Sequence, residues 1–76
     1  MNIVMTVIIE TERGRESVQQ RLSSFGLVED ARAIDDRRIW AKISDQTRSS
    51  LAQKENTIRN SEGVSNCIIL KTQYMP

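Results

Sequence analysis

The sequence has 76 residues, 11 of them basic and 10 acidic, and a formal net charge of +1. A chain of this length is expected to form one domain, residues 1–76, and its balanced charge argues against nucleic acid or anionic lipid as a partner. The absence of His removes the commonest general base and metal ligand, and the single Cys cannot form an intrachain disulfide.

The clearest predicted element is the apolar run 2–10, which is rich in β-branched residues and lacks Gly and Pro. It is too short to span a membrane and typical of a buried strand, so we expect no membrane partner. It also lacks the basic start and small-residue cleavage pattern of a signal peptide, which favours a cytoplasmic protein. Ile3, Met5, Val7 and Ile9 point to one face, and Val4, Thr6 and Ile8 point to the other.

A polar turn over residues 11–14 is expected to follow this strand. Helical spacing of Val18, Leu22 and Phe25 then predicts a helix over residues 15–24 with one narrow apolar stripe, which ends at Gly26 in the left-handed conformation.

Two strands joined by a polar turn at residues 35–37 are predicted next. The first covers residues 27–34, and its charges suit a sheet edge. The second covers residues 38–43. Its alternation directs Ile39, Ala41 and Ile43 to the core and Arg38, Trp40 and Lys42 to the opposite face.

A second helix is predicted over residues 46–60, with Ser44 or Asp45 as its N-terminal cap. The last strand is predicted over residues 64–72 and is followed by a tail at 73–76. Strict alternation places Val64, Asn66, Ile68 and Leu70 on one side of this strand and Cys67, Ile69 and Lys71 on the other.

The order of elements, βαββαβ, predicts an α+β fold of the ferredoxin-like type, with a four-stranded antiparallel sheet. Right-handed crossovers place both helices on one face of that sheet. The opposite face then carries a contiguous apolar patch, which on a soluble protein marks an interaction surface. The candidate partner-binding residues on it are Val4, Thr6, Ile8, Arg38, Trp40, Lys42, Cys67 and Ile69.

Three kinds of partner fit this face. Symmetric self-association is the preferred interpretation, and docking of a protein or peptide is the second. The third is RNA, with a base stacked on Trp40 between Arg38 and Lys42, but the consensus of RNA-recognition strands is absent.

No catalytic constellation is present in the sequence. Cys67 is interpreted as a small apolar side chain that fills space within a strand. Asp35 and Asp36 are interpreted as solvated turn residues. Two carboxylates do not make a calcium site, because Ca²⁺ needs six or more oxygen ligands. We therefore expect a non-enzymatic protein without a metal or cofactor.

The segment 58–64, Ile-Arg-Asn-Ser-Glu-Gly-Val, and the strands around Val28 and Trp40 resemble the Lrp/AsnC-type effector domain, also called the regulator of amino-acid metabolism domain. The resemblance covers nearly the whole chain. It implies a stand-alone domain in transcriptional or metabolic regulation, which forms dimers through the sheet face and binds amino acids or similar small effectors between subunits. The family often has a Gly and an Asp at the hairpin where this chain has Asp35 to Arg38, a departure that puts amino-acid binding at this turn in doubt.

The same features are nearly as similar to the cytoplasmic chaperone of periplasmic nitrate reductase, which binds a twin-arginine signal peptide on its sheet. That family typically ends its last strand in Tyr-His-Gln, of which Lys71-Thr72-Gln73 keeps only the Gln. The stretch Ala41-Lys42-Ile43-Ser44 also resembles inhibitor domains of the subtilisin propeptide type.

Overall fold

A computed structural model of the chain describes residues 2–12 and 15–76, and of Arg15 the backbone alone. Of the turn predicted at residues 11–14, Arg13 and Gly14 lie outside the described residues. The elements in chain order are β1 (Asn2–Thr11), α1 (Arg15–Ser24), β2 (Asp30–Asp35), β3 (Arg38–Asp45), α2 (Arg48–Arg59) and β4 (Val64–Met75).

The strands form one antiparallel sheet in the order β2-β3-β1-β4, so β1 lies between β3 and β4. Val7, near the middle of β1, pairs with Ala41 of β3 and Ile69 of β4. This topology confirms the predicted α+β ferredoxin-like fold. No helix among the described residues has both the length and the apolar character needed to cross a membrane.

The core lies between the helices and one face of the sheet. Its helix residues are Val18 and Leu22 of α1 and Leu51 and Ile58 of α2. Phe25, predicted on the same apolar stripe as Val18 and Leu22, follows the end of α1 and is 70% exposed instead. Its sheet residues are Ile3, Val7 and Ile9 of β1, Ile39, Ala41 and Ile43 of β3, and Cys67 of β4. Both helices therefore cover the same face, as right-handed crossovers require.

The end of α1 has the conformation that the sequence predicts. Gly26 has a φ of 67°, and the Leu27 amide donates to the carbonyl of Leu22 at 3.1 Å. A bond that spans five residues beside a left-handed glycine is the usual closure of a helix C-terminus.

The prediction for the start of α2 is wrong. Ser44 and Asp45 end β3, because they pair with Val4 and Ile3 of β1. Thr47 is the N-cap instead, and its side chain accepts a hydrogen bond from the Ser50 amide at 3.1 Å. Cross-strand pairing with β1 therefore extends β3 through the two residues predicted as the cap.

The predicted faces of β4 are also wrong, because the strand carries two irregularities where its register against β1 shifts. The pairing skips Ser65 and Leu70, and each skip reverses the alternation of faces. Cys67 consequently lies in the core, where it is 3% exposed, and Ile69 shares its face through pairing with Val7. Neither lies on the face opposite the helices, where the sequence pattern had placed them.

The two edges of the sheet differ in length from their predictions. The outer strand β2 starts at Asp30, three residues later than predicted, and Leu27 and Val28 pack partly buried against the core before it begins. At the other edge, β4 continues to Met75, because the residues predicted as a tail pair with Asn2 and Ile3 of β1.

Because the core lies on one face of the sheet, truncation of a buried isoleucine and of an exposed isoleucine should change the free energy of unfolding by different amounts. Ile58 is fully buried, whereas Ile34 on β2 is 46% exposed. We expect Ile58→Ala to lower the free energy of unfolding by about 2–5 kcal/mol, a large part of the roughly 4–11 kcal/mol typical of this length. Ile34→Ala should cost less than about 1 kcal/mol. Urea unfolding followed by circular dichroism measures both, and equal losses would contradict the assignment of the core.

Candidate functional site

The sheet face opposite the helices, called the open face below, is built from alternate residues of all four strands. Cross-strand pairing arranges its centre in three rows. The rows are Trp40–Ile8–Ile68, Lys42–Thr6–Lys71 and Ser44–Val4–Gln73, with the β1 residue in the middle of each. An apolar row thus lies directly beside a row that carries two ammonium groups.

The open face holds six of the eight residues proposed from the sequence. They are Val4, Thr6, Ile8, Arg38, Trp40 and Lys42. The places expected for Cys67 and Ile69 are taken by Asn66, Ile68 and Lys71. The face is therefore more polar and more basic than the sequence pattern indicates.

Trp40 is half-buried and lies between two cations, but only one of them is the expected residue. The Lys42 ammonium and the Arg32 guanidinium each lie 5.6 Å from the centre of the indole ring. Arg32 reaches the ring because β2 pairs it directly with Trp40. Arg32 could have been identified from the register of the hairpin, because directly opposite residues of paired strands lie on the same face.

Arg38 is held away from the indole by the hairpin turn. Its guanidinium contacts the Asp35 carboxylate at 2.7 Å, and the same carboxylate accepts from the Arg37 amide at 2.9 Å. The hydrogen bond from Arg38 lowers the pKa of Asp35 and raises the pKa of Arg38. Arg38 therefore serves the turn, and its charge is already paired.

Thr6 occupies the centre of the open face and is 3% exposed. Its hydroxyl oxygen is buried and has no hydrogen-bond partner among the described residues. A buried hydroxyl without a partner carries a desolvation penalty of about 1–3 kcal/mol. This is the one buried side-chain polar atom of the described residues with that cost.

The edge strand β4 exposes apolar side chains along its length. Among the described residues, seven large apolar side chains are exposed, and five of them lie on β4. These five are Ile68, Ile69, Leu70, Tyr74 and Met75, with exposed fractions of 42–55%. The outer edge of β4 is unpaired in the sheet order, so backbone amides and carbonyls lie beside these side chains.

Cys67, the single thiol, is a core residue without features of a nucleophile. Burial, followed by the negative charge of Glu55, raises its pKa to about 11. No group of three or more acidic or thiol side chains within the described residues is arranged to hold a metal ion.

Comparisons of the chain with protein-family models, with curated proteins and with solved structures found no match in any of the three. The functional argument below therefore starts from the open face and the β4 edge.

The environment of Trp40 predicts different effects from two matched substitutions. Arg32→Met removes a cation beside the indole and should shift the emission maximum of the single Trp, at a cost of about 0.5–1 kcal/mol in stability. Arg38→Met removes an equal charge from the same face but should leave the emission unchanged. A shift of similar size in both variants would contradict the assigned neighbours.

Cys67 predicts slow thiol chemistry in the folded state. A pKa of about 11 instead of the usual 9.0 lowers the thiolate fraction at pH 8 about a hundredfold, and burial restricts access further. Alkylation by iodoacetamide should therefore be at least that much slower than in urea. Because the unfolded thiol ionises first, folding stability should be full below pH 8 and fall as the pH rises toward 11. Replacement by Ala should remove this alkaline loss.

Proposed function

We propose that this protein is a non-enzymatic assembly domain whose copies associate through the outer edges of their β4 strands. Antiparallel addition of one β4 to another joins two four-stranded sheets into one and pairs the free backbone groups of both edges. The observation that carries the proposal is the concentration of exposed apolar side chains on this edge strand.

The opposite edge of the sheet, formed by β2, does not expose apolar side chains to the same extent as β4. The outer strand β2 has six residues, against twelve in β4, and carries Asp30, Arg32 and Asp35. Both edge strands carry register irregularities, so length and charge are what distinguish them. Short length and charge are devices that keep edge strands from pairing with other chains. Within the described part of the chain β4 has one charged residue, Lys71.

The charge of Lys71 is compatible with two-fold pairing of β4. An antiparallel pair centred between Ile69 and Leu70 opposes these two residues across the interface and places each Lys71 opposite an Ile68. The two ammonium groups then do not face each other. Apolar cross-strand pairs of this kind each contribute roughly 0.2–1 kcal/mol.

Stacking of two open faces, the arrangement favoured by the sequence pattern, is less well supported. It would bring Lys42 and Lys71 of one copy, neither of which has a carboxylate within salt-bridge distance among the described residues, against the same residues of another. Like charges removed from water together are costly. The edge of β4 avoids this cost and leaves the open face accessible in the assembly.

A second candidate function follows from the same edge, which can also accept an extended peptide as an added strand. This corresponds to the peptide-binding chaperone suggested by one sequence resemblance. The basic open face disfavours an arginine-rich peptide lying across it, so such a peptide would have to bind at β4.

Matched lysine substitutions test the assembly. Ile69 on β4 and Ile34 on β2 are 47% and 46% exposed, so Ile69→Lys and Ile34→Lys introduce the same charge at equal exposure on opposite edges. We expect Ile69→Lys to weaken dimerisation at least tenfold, about 1.4 kcal/mol, whereas Ile34→Lys leaves it unchanged.

Sedimentation velocity over a range of concentrations measures these dimerisation constants. A wild-type protein that remains a monomer at high micromolar concentration would overturn the assembly proposal. In that case, binding of an extended apolar peptide that is lost in Ile69→Lys would support the second candidate.

A further inference from the structure

Thr6 is the least expected residue of the open face. On the helix side of the sheet, six positions of β1 and β3 that carry apolar side chains are buried. Thr6 is buried to the same extent, but it is polar and lies on the side without helices. Its hydroxyl keeps a hydrogen to donate and has no acceptor among the described residues. A Val of the same shape would remove that cost, so the hydroxyl is a candidate for contact with a ligand.

The two residues that flank Thr6 supply positive charge. Lys42 and Lys71 pair with it from β3 and β4, so both side chains start beside the hydroxyl. Two other cations are already engaged: Arg38 with Asp35, and Lys54 with the Ser44 carbonyl at 2.8 Å. Within the described residues neither Lys42 nor Lys71 lies within salt-bridge distance of a carboxylate.

A hydroxyl donor between two ammonium groups is complementary to an oxyanion. The neighbouring row adds apolar surface, since Ile8, two residues from Thr6 along β1, lies between Trp40 and Ile68. The Thr6 hydroxyl is covered by its surroundings, so binding requires neighbouring side chains to move. Lysine stems are flexible, so both can swing aside and turn their ammonium groups toward a bound anion without movement of the sheet. The weak contact of Lys42 with the indole, about 0.5–1 kcal/mol at an exposed site, does not prevent this.

We propose that the open face binds a small aromatic acid. Thr6 Oγ1 donates a hydrogen bond to its oxyanion group, Lys42 and Lys71 neutralise the charge, and Ile8 and Ile68 contact the ring. Carboxylates and phosphate monoesters share this chemistry. The site lies within one copy of the chain and does not depend on association through β4.

Titration of the ¹⁵N-labelled protein with benzoate, phenyl phosphate and neutral benzyl alcohol tests the site. We expect one or both anions to shift the Thr6 and Lys42 amide signals and the Trp40 emission, with the tighter of them identifying the natural anionic group. Benzyl alcohol should bind at least tenfold more weakly. No shift with either anion up to about 10 mM, or equal binding of the alcohol, would overturn the proposal.

The decisive variant is Thr6→Val, which keeps the side-chain shape and removes the unpaired hydroxyl. It should fold with equal or greater stability but bind the anion about tenfold more weakly. Lys42→Met and Lys71→Met should weaken binding by a similar factor, whereas Arg38→Met, the matched control, should not. Wild-type affinity in Thr6→Val would overturn the assigned site.

The same titration in the Ile69→Lys background separates this site from the assembly. Binding that persists in the monomeric variant supports a site within one copy. Binding that disappears there, while the variant remains folded, overturns it.

Discussion

Apolar contacts between the two helices and one face of the sheet stabilise this fold, and the described helices leave the other face without cover. The central strand β1 is the element most affected, because its residues are apolar toward both faces. On the helix side Val7 and Ile9 are completely buried. On the open side Val4 and Ile8 are only half-buried: Ser44 and Gln73 flank Val4, and Trp40 and Ile68 flank Ile8. Side chains of the neighbouring strands thus provide part of the cover that helices give to the other face.

This arrangement explains why the open face is a poor site for self-association and a better one for a ligand. Lysine and arginine stems can shield a strand while their charges remain in water. A second copy of the same face would bring Lys42 and Lys71 against like charges, whereas an anion would pair with them. The apolar side chains of β4 receive no such protection, because Lys71 is the only charge along that strand. Different surfaces of one small sheet therefore favour different partners.

The parts of the fold that follow from local pattern could be predicted from the sequence. The β1 strand, the two helices, the core residues of β3 and the Gly26 cap depend on periodicity and on short-range geometry. Prediction from the sequence is wrong where pairing between strands distant in the chain determines the structure. Ser44 and Asp45 have good capping side chains, but β1 holds them in the sheet. Arg32 lies beside Trp40 only because of the hairpin register, which alternation within one strand does not specify.

The irregularities of β4 show how much a single unpaired residue can determine. Between Val7 and Thr6 of β1 the pairing passes from Ile69 to Lys71 and skips Leu70. In a regular strand Leu70 would oppose Thr6 on the open face, and Lys71 would point to the helix side opposite Met5. The hydroxyl of Thr6 would then lie against an apolar side chain and a single cation. The skip instead brings the second ammonium group to the open face and leaves Leu70 exposed at the edge. One irregularity therefore contributes both to the proposed anion site and to the apolar edge, and an inserted or deleted residue at this point would alter both together.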